Sequence, residues 1–245
     1  MPDMNLGDVT IHYDDAGRGA VPLVFCHGMY GGADEFAKES DFWQQHFGRV
    51  ITWDVRGMGR SSKAAKYSLP LYASDLARLL DKVGVQKAVV LAFSWGSILG
   101  QQFALDYLDK CAAVILESGT SEVNLAASEF LYQRGEAIKQ GKPGAPVVKP
   151  EHLDSVVAAS RVAAALREHP LTPRLKHITC PVLVVAGAKD EENRGAGASV
   201  IMSRNLPDCR LHIFQDGGHT LHVEKRDEFR EVVVDFCREH GVIKG

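Results

Sequence analysis

The segment Ala88-Val-Val-Leu-Ala-Phe-Ser94-Trp-Gly-Ser-Ile-Leu-Gly100 decides the reading of this chain. Its first six residues are apolar and read as a buried strand, the residues from Trp95 onward read as a helix, and Ser94 stands at the junction. A serine on so sharp a strand-to-helix turn is held in a strained backbone conformation with its Oγ exposed. The positions two before and two after it must be small, because strand and helix approach closely there; they are Ala92 and Gly96. Glycine at both is the usual pattern, so Ala92 predicts a slightly tighter turn. The Trp95 N–H opens the helix, where unpaired donors and the helix dipole favour an anion.

The same alternation extends in both directions. Apolar runs at 23–26, 50–53, 113–116, 182–186 and 211–214 are continuous enough for strands covered on both faces, which implies a mostly parallel sheet. A hairpin of residues 3–6 and 9–13, turning at Gly7-Asp8, precedes them. Between the runs the period is helical. Leu76, Leu79, Leu80 and Val83 form one apolar face, and Phe229, Val232, Val233, Phe236 and Cys237 form another. Ile98, Leu99, Phe103 and Leu108 belong to a helix that is apolar nearly all round and is expected in the middle of the protein. The pattern predicts an α/β layered fold with right-handed crossovers. Residues 121–169 break it. Two helical segments, 122–140 and 151–169, flank a linker at 141–150 that holds three prolines and two glycines. The expectation is a core of residues 1–120 and 170–245, with 121–169 inserted as a small helical cap over the sheet's C-terminal edge, where open α/β sheets bind ligands.

Composition narrows the function. The 245 residues are 45% apolar and 24% charged, with 28 basic against 31 acidic side chains and a net charge of −3. No basic stripe or acidic tail suggests nucleic acid or an anionic membrane as partner. The longest apolar runs are six residues, far short of the roughly 18 of a membrane span. The N-terminus MPDMNLGDVT lacks the basic and apolar regions of a signal peptide. Five scattered cysteines without metal-ligand spacing read as thiols in a reducing, cytoplasmic setting. Cys26 directly precedes His27, but adjacent strand residues point to opposite faces and cannot act as a nucleophile–base pair.

Three further stretches carry chemistry. Phe25-Cys-His27-Gly28-Met29-Tyr30-Gly31-Gly32 ends the first core strand in glycines, and its Met29 N–H is a candidate partner for the Trp95 N–H in holding an oxyanion. His27 reads as a structural residue bonded to nearby backbone. Asp190, in Ala186-Gly-Ala-Lys-Asp190, and His219, in Gln215-Asp-Gly-Gly-His219, each follow a strand and share the Ser94 edge. Glu117, at the end of another strand, is the alternative acid; Glu191 and Glu192 read as solvated charges, and Asp54 and Arg56 as loop pins. Trp95, Met29, Tyr30, Leu125, Phe130 and His222 are the candidate pocket residues, with packing of the cap as the competing role for Leu125 and Phe130.

The order Ser94, Asp190, His219, together with the two glycine-containing loops, resembles the α/β-hydrolase family, in its single-domain, small-cap form. The stretch Asp54-Val-Arg-Gly-Met-Gly-Arg-Ser61 resembles the family's D-x-R-G-x-G-x-S loop, with Met58 where histidine is common, and Ser97 replaces a frequent glycine. The resemblance covers nearly the whole chain, most weakly the cap, and is greatest to carboxylesterases, enol-lactonases and carbon–carbon hydrolases. It implies a mostly parallel sheet with helices on both faces and a Ser94–His219–Asp190 triad with the Met29 and Trp95 amides as oxyanion hole. A carboxylic ester or lactone is the expected substrate; a thioester or a carbon–carbon bond is the alternative, as is a non-hydrolytic binding, lyase or cofactor-free oxygenase role. Serine at position 94 argues against alkyl halides and epoxides, whose hydrolases on this fold use aspartate. No metal or organic cofactor is implied, the expected partner is a small carbonyl compound, and a monomer or homodimer is expected.

Overall fold

The computed structural model describes residues 2–192 and 195–244. Eight strands form one sheet: β1 (Asp3–Asn5), β2 (Thr10–Gly17), β3 (Leu23–Cys26), β4 (Arg49–Trp53), β5 (Ala88–Phe93), β6 (Cys111–Glu117), β7 (Val182–Gly187) and β8 (Cys209–Phe214). The helices are α1 (Asp34–Ala37), α2 (Ser40–Phe47), α3 (Leu69–Lys82), α4 (Trp95–Asp106), α5 (Leu125–Lys139), α6 (Leu153–Ala165), α7 (Gly197–Asn205), α8 (Leu221–Glu224) and α9 (Arg226–Glu239). The strand order is β1-β2-β4-β3-β5-β6-β7-β8. The first two pairings, β1 with β2 and β2 with β4, are antiparallel; all the others are parallel. The chain runs from β3 outward to β4, then returns to place β5 on the other side of β3. At such a reversal, open α/β sheets bind ligands outside the carboxyl ends of the two flanking strands, here β3 and β5.

Strand alternation builds two cores from one sheet. Val24, Cys26, Val90, Ala92, Val114 and Leu116 face α3 and α4, where Leu76, Leu79, Leu80, Leu99 and Phe103 meet them. Leu23, Phe25, Val89, Leu91, Phe93 and Ile115 face the other way, onto Phe36, Trp43, Phe229, Val233 and Phe236 of α1, α2 and α9. Phe25 stacks on Phe36 with centroids 4.2 Å apart. Each aliphatic or aromatic side chain buried in these layers contributes about 1.5–3 kcal/mol by leaving water, which is why the strands are apolar without a polar alternation.

Several details differ from the sequence-based expectation. Leu108 falls outside α4, in a 3₁₀ turn at Leu108–Lys110. β2 runs on to Gly17 because its far half pairs with β4. α7 is not signalled by the sequence pattern, because its short Gly-Ala-Ser start carries little periodicity. The 121–169 region holds the helical pair α5 and α6, with a linker that ends in a 3₁₀ turn at Pro150–His152. Among the described residues, no helix is long and apolar enough to cross a membrane.

Candidate active site

Ser94 has φ 53° and ψ −116° between β5 and α4, a left-handed conformation that costs a non-glycine residue about 1–3 kcal/mol. Its N–H donates to the Glu117 carbonyl at 2.8 Å, which helps hold the turn. Close packing explains the sequence around it. A Cβ on Gly96 would collide with the Cys26 and His27 carbonyls, so α4 can start against β3 only with glycine there. Ala92 is accommodated because Gly100 faces it: a Cβ at 100 would stand 2.8 Å from the Ala92 methyl. Ser97 is accommodated in the same way by Gly119, where any Cβ would strike the Ser97 side chain. The two departures from the usual elbow pattern are thus matched by glycines elsewhere.

His219, on the loop after β8, places Nε2 2.9 Å from the Ser94 Oγ and Nδ1 2.9 Å from an Asp190 oxygen. Asp190 follows β7 and is buried. The two loops approach because Gly187 lies directly on the Gly217 and Gly218 carbonyls, leaving no room for a side chain. An ionised Asp190 accepts the Nδ1–H, so the Nε2 lone pair faces the serine hydroxyl. Burial pulls the His219 pKa down. The hydrogen bond and charge of Asp190, with the carboxylates of Glu192 and Glu117, outweigh it and hold the ring above its ordinary value. Glu192 is nearer than a merely solvated charge, with an oxygen 3.8 Å from His219 Nε2.

Opposite the elbow, the Gly31 N–H donates to the Gly28 carbonyl at 3.1 Å and closes a turn with Met29 and Tyr30 at its centre. Glu35 accepts the Gly28 N–H at 2.9 Å. His27 donates Nδ1–H to the Gly28 carbonyl and accepts the Val55 N–H at Nε2. Both its nitrogens are therefore used on backbone. Asp54 accepts the Ala33 and Arg60 N–H groups, while Arg56 is buried on Asp75 and also reaches Asp8. The Cys26 thiol is buried in the α3–α4 layer, and burial pushes its pKa up to about 12.

The helical pair is fastened to this edge through α6. The Trp95 indole N–H donates to the Ala159 carbonyl at 3.1 Å, the Ser160 hydroxyl reaches the Met29 sulfur at 3.4 Å, and the Ser155 hydroxyl donates to the Arg56 carbonyl at 2.8 Å. The Trp95 ring is buried against Tyr72, edge to face at 5.0 Å.

The other candidate pocket residues divide. Tyr30 is half-exposed in the turn closed by Gly28 and Gly31, with the Arg134 guanidinium 5.1 Å from its ring centre. Arg134 carried no sequence signal, because it is one charge among several on α5. Leu125 and Phe130 are 68% and 63% exposed and project into solvent. The neighbouring Leu131 packs on the core, and the 100° step of the helix turns Phe130 outward. His222 does not line an open cleft: it is buried, and its Nδ1 lies 2.9 Å from both Glu117 oxygens. Glu117 therefore meets His222 and not His219. A separate groove of about 920 Å³ runs between α6 and the start of α3, walled by Leu69, Leu153, Val157, Val162 and Leu171; Ser94 is not among its walls.

The chain has the alpha/beta hydrolase fold, and a sequence profile of that fold matches residues 21–141. Among its relatives, the 2-hydroxy-6-oxo-6-phenylhexa-2,4-dienoate hydrolase of Comamonas testosteroni is 26% identical over 277 residues, spanning 97% of this chain and 94% of that protein. Est816, an N-acyl homoserine lactone degrading enzyme, superimposes with a TM-score of 0.75 and 26% identity over 96% of this chain and 100% of its own. The enol-lactonase of Burkholderia xenovorans LB400 shares the fold, with a TM-score of 0.81, 20% identity and coverage of 96% and 99%.

Proposed function

We propose that the protein is a serine hydrolase of carboxylic esters or lactones. The observation that carries this reading is His219 bridging Ser94 Oγ and Asp190 at 2.9 Å on either side, with Ser94 at φ 53° on the elbow. A serine hydroxyl is a poor nucleophile until a base in hydrogen-bond reach takes its proton. His219 Nε2 removes that proton as Oγ bonds to the carbonyl carbon, and Asp190 stabilises the imidazolium that results. The Met29 and Trp95 amides hold the oxygen that becomes negative; losing one such donor typically costs on the order of 10²–10³ in rate. His219 then gives its proton to the departing alkoxide, leaving an acyl group on Ser94. Water attacks this acyl-enzyme, His219 takes the water's proton, and the acid leaves as Ser94 regains its hydrogen. No step needs a metal or organic cofactor. The helical pair α5–α6 acts as the cap of the substrate cleft.

The likeness to Est816 supports lactones among the substrates. The Comamonas relative supports a second reading, hydrolysis of a carbon–carbon bond beside a carbonyl on the same residues. A panel of p-nitrophenyl esters, lactones, thioesters and vinylogous diketones separates them. Ser94→Ala abolishes turnover while the fold stays intact; ester hydrolysis retained in that variant ends the serine mechanism.

A further inference from the structure

Glu117 and His222 lie behind the proposed catalytic groups and tie their loops together. Glu117 is the last residue of β6 and is fully buried. Its main-chain carbonyl accepts the Ser94 N–H at 2.8 Å. Its carboxylate accepts the His222 N–H at 3.0 Å and the Nδ1–H at 2.9 Å. One residue thus grips the nucleophile's backbone with its main chain and the base-bearing segment with its side chain. His222 follows His219 by three residues, so a tether at one restrains the other.

The surroundings make this couple rigid and keep substrate away from it. The His222 ring lies 4.8 Å from Phe36, 4.9 Å from Phe93 and 6.4 Å from Phe229. Phe93 in turn lies 5.2 Å from the His219 ring and is a shared wall between the two histidines. Burial alone would lower the His222 pKa. Glu117 opposes this first, and Glu35 and Glu39 add their charge, so the ring's pKa is held above its ordinary value. Glu35 is the same residue that accepts the Gly28 N–H beneath the oxyanion turn. The elbow and the segment after β8 therefore both border this buried pair.

We propose that Glu117 and His222 are a positioning pair that sets the distance and orientation of His219 relative to Ser94. The inference rests on the reading of Ser94 as nucleophile and His219 as base. Neither member touches substrate. Their effect is geometric: a misplacement of about 1 Å between reacting groups costs on the order of 10²-fold in rate.

The test compares His222→Leu, which removes the ring–carboxylate bond, with His222→Asn, whose amide nitrogen falls where Nδ1 stands. The readouts are steady-state ester hydrolysis and the rate of Ser94 labelling by a fluorophosphonate, each per folded protein. Folded His222→Leu is expected to lose about 10–100-fold in kcat and in labelling rate, with KM within about twofold. His222→Asn is expected to recover most of both. A folded His222→Leu protein with parental kcat and labelling rate overturns the proposal, even with a lowered Tm, because the pair then only packs. If His222→Leu does not fold, Glu117→Ala is measured by the same readouts, and parental rates there overturn it too. Ser94→Ala run alongside keeps the two readings apart. Turnover that survives Ser94→Ala removes the serine mechanism; turnover lost there but intact in His222→Leu removes only the positioning role.

Discussion

Two histidine–carboxylate pairs stand at the same edge of the sheet and differ in access. In the outer pair, His219 with Asp190, the ring keeps 15% of its surface open and directs Nε2 at Ser94. In the inner pair, His222 with Glu117, 4% and 0% of the side chains are open, and phenylalanines surround the ring. The chemistry of the couple is the same in both. A ring nitrogen that faces a reacting group can move a proton to substrate, whereas a ring enclosed by apolar side chains can only hold its neighbours in place.

The sharpest way to break this comparison is to disable each carboxylate. Asp190→Asn is expected to lower kcat by about 10⁴, because the ring loses the acceptor that fixes its tautomer. Glu117→Gln keeps an acceptor for the His222 amide and is expected to cost no more than about tenfold. If Glu117→Gln is the crippling change in a kcat measurement, the roles are reversed. Stability should rank the pairs the other way. Breaking the enclosed pair with His222→Leu is expected to cost about 3–5 kcal/mol, a fall of roughly 6–20 °C in Tm by calorimetry. Asp190→Asn should fall well short of that.

The pH dependence sharpens the comparison further. In the proposed mechanism only neutral His219 serves as base, and its pKa is held above the ordinary 6.5. The kcat/KM profile should therefore fall on the acid side with a midpoint above that value. A flat profile between pH 5 and 8, with chemistry rate-limiting, would argue against His219 as base. The smallest effect concerns folding. His222 is raised in the folded state, so its contribution to stability is complete below the unfolded imidazole value and is lost as pH rises through the folded one. Tm should decline on the alkaline side, and His222→Leu should flatten that decline.

What the sequence discloses here follows from how local each signal is. Ser94 is legible because its strand, turn and helix are contiguous, and Asp190 and His219 because each directly follows a strand of the same parallel sheet. The Glu117–His222 contact joins residues 105 positions apart, and nothing local in either stretch announces it. The exposure of Leu125 and Phe130 was equally hidden, because only Gly135 and Ile138 of α5 are buried and no single apolar stripe fixes the helix's rotation. The glycines at 100 and 119 show their purpose only beside Ala92 and Ser97.

The indole of Trp95 ends in a bond to the main chain of α6, while its backbone nitrogen begins the helix that carries Ser94 upright. Swinging α6 outward would break that bond and wet an aromatic plane now sealed against Tyr72. The residue that follows the elbow serine is thus shared between α4 and α6, and any displacement of one helix is felt at the first turn of the other.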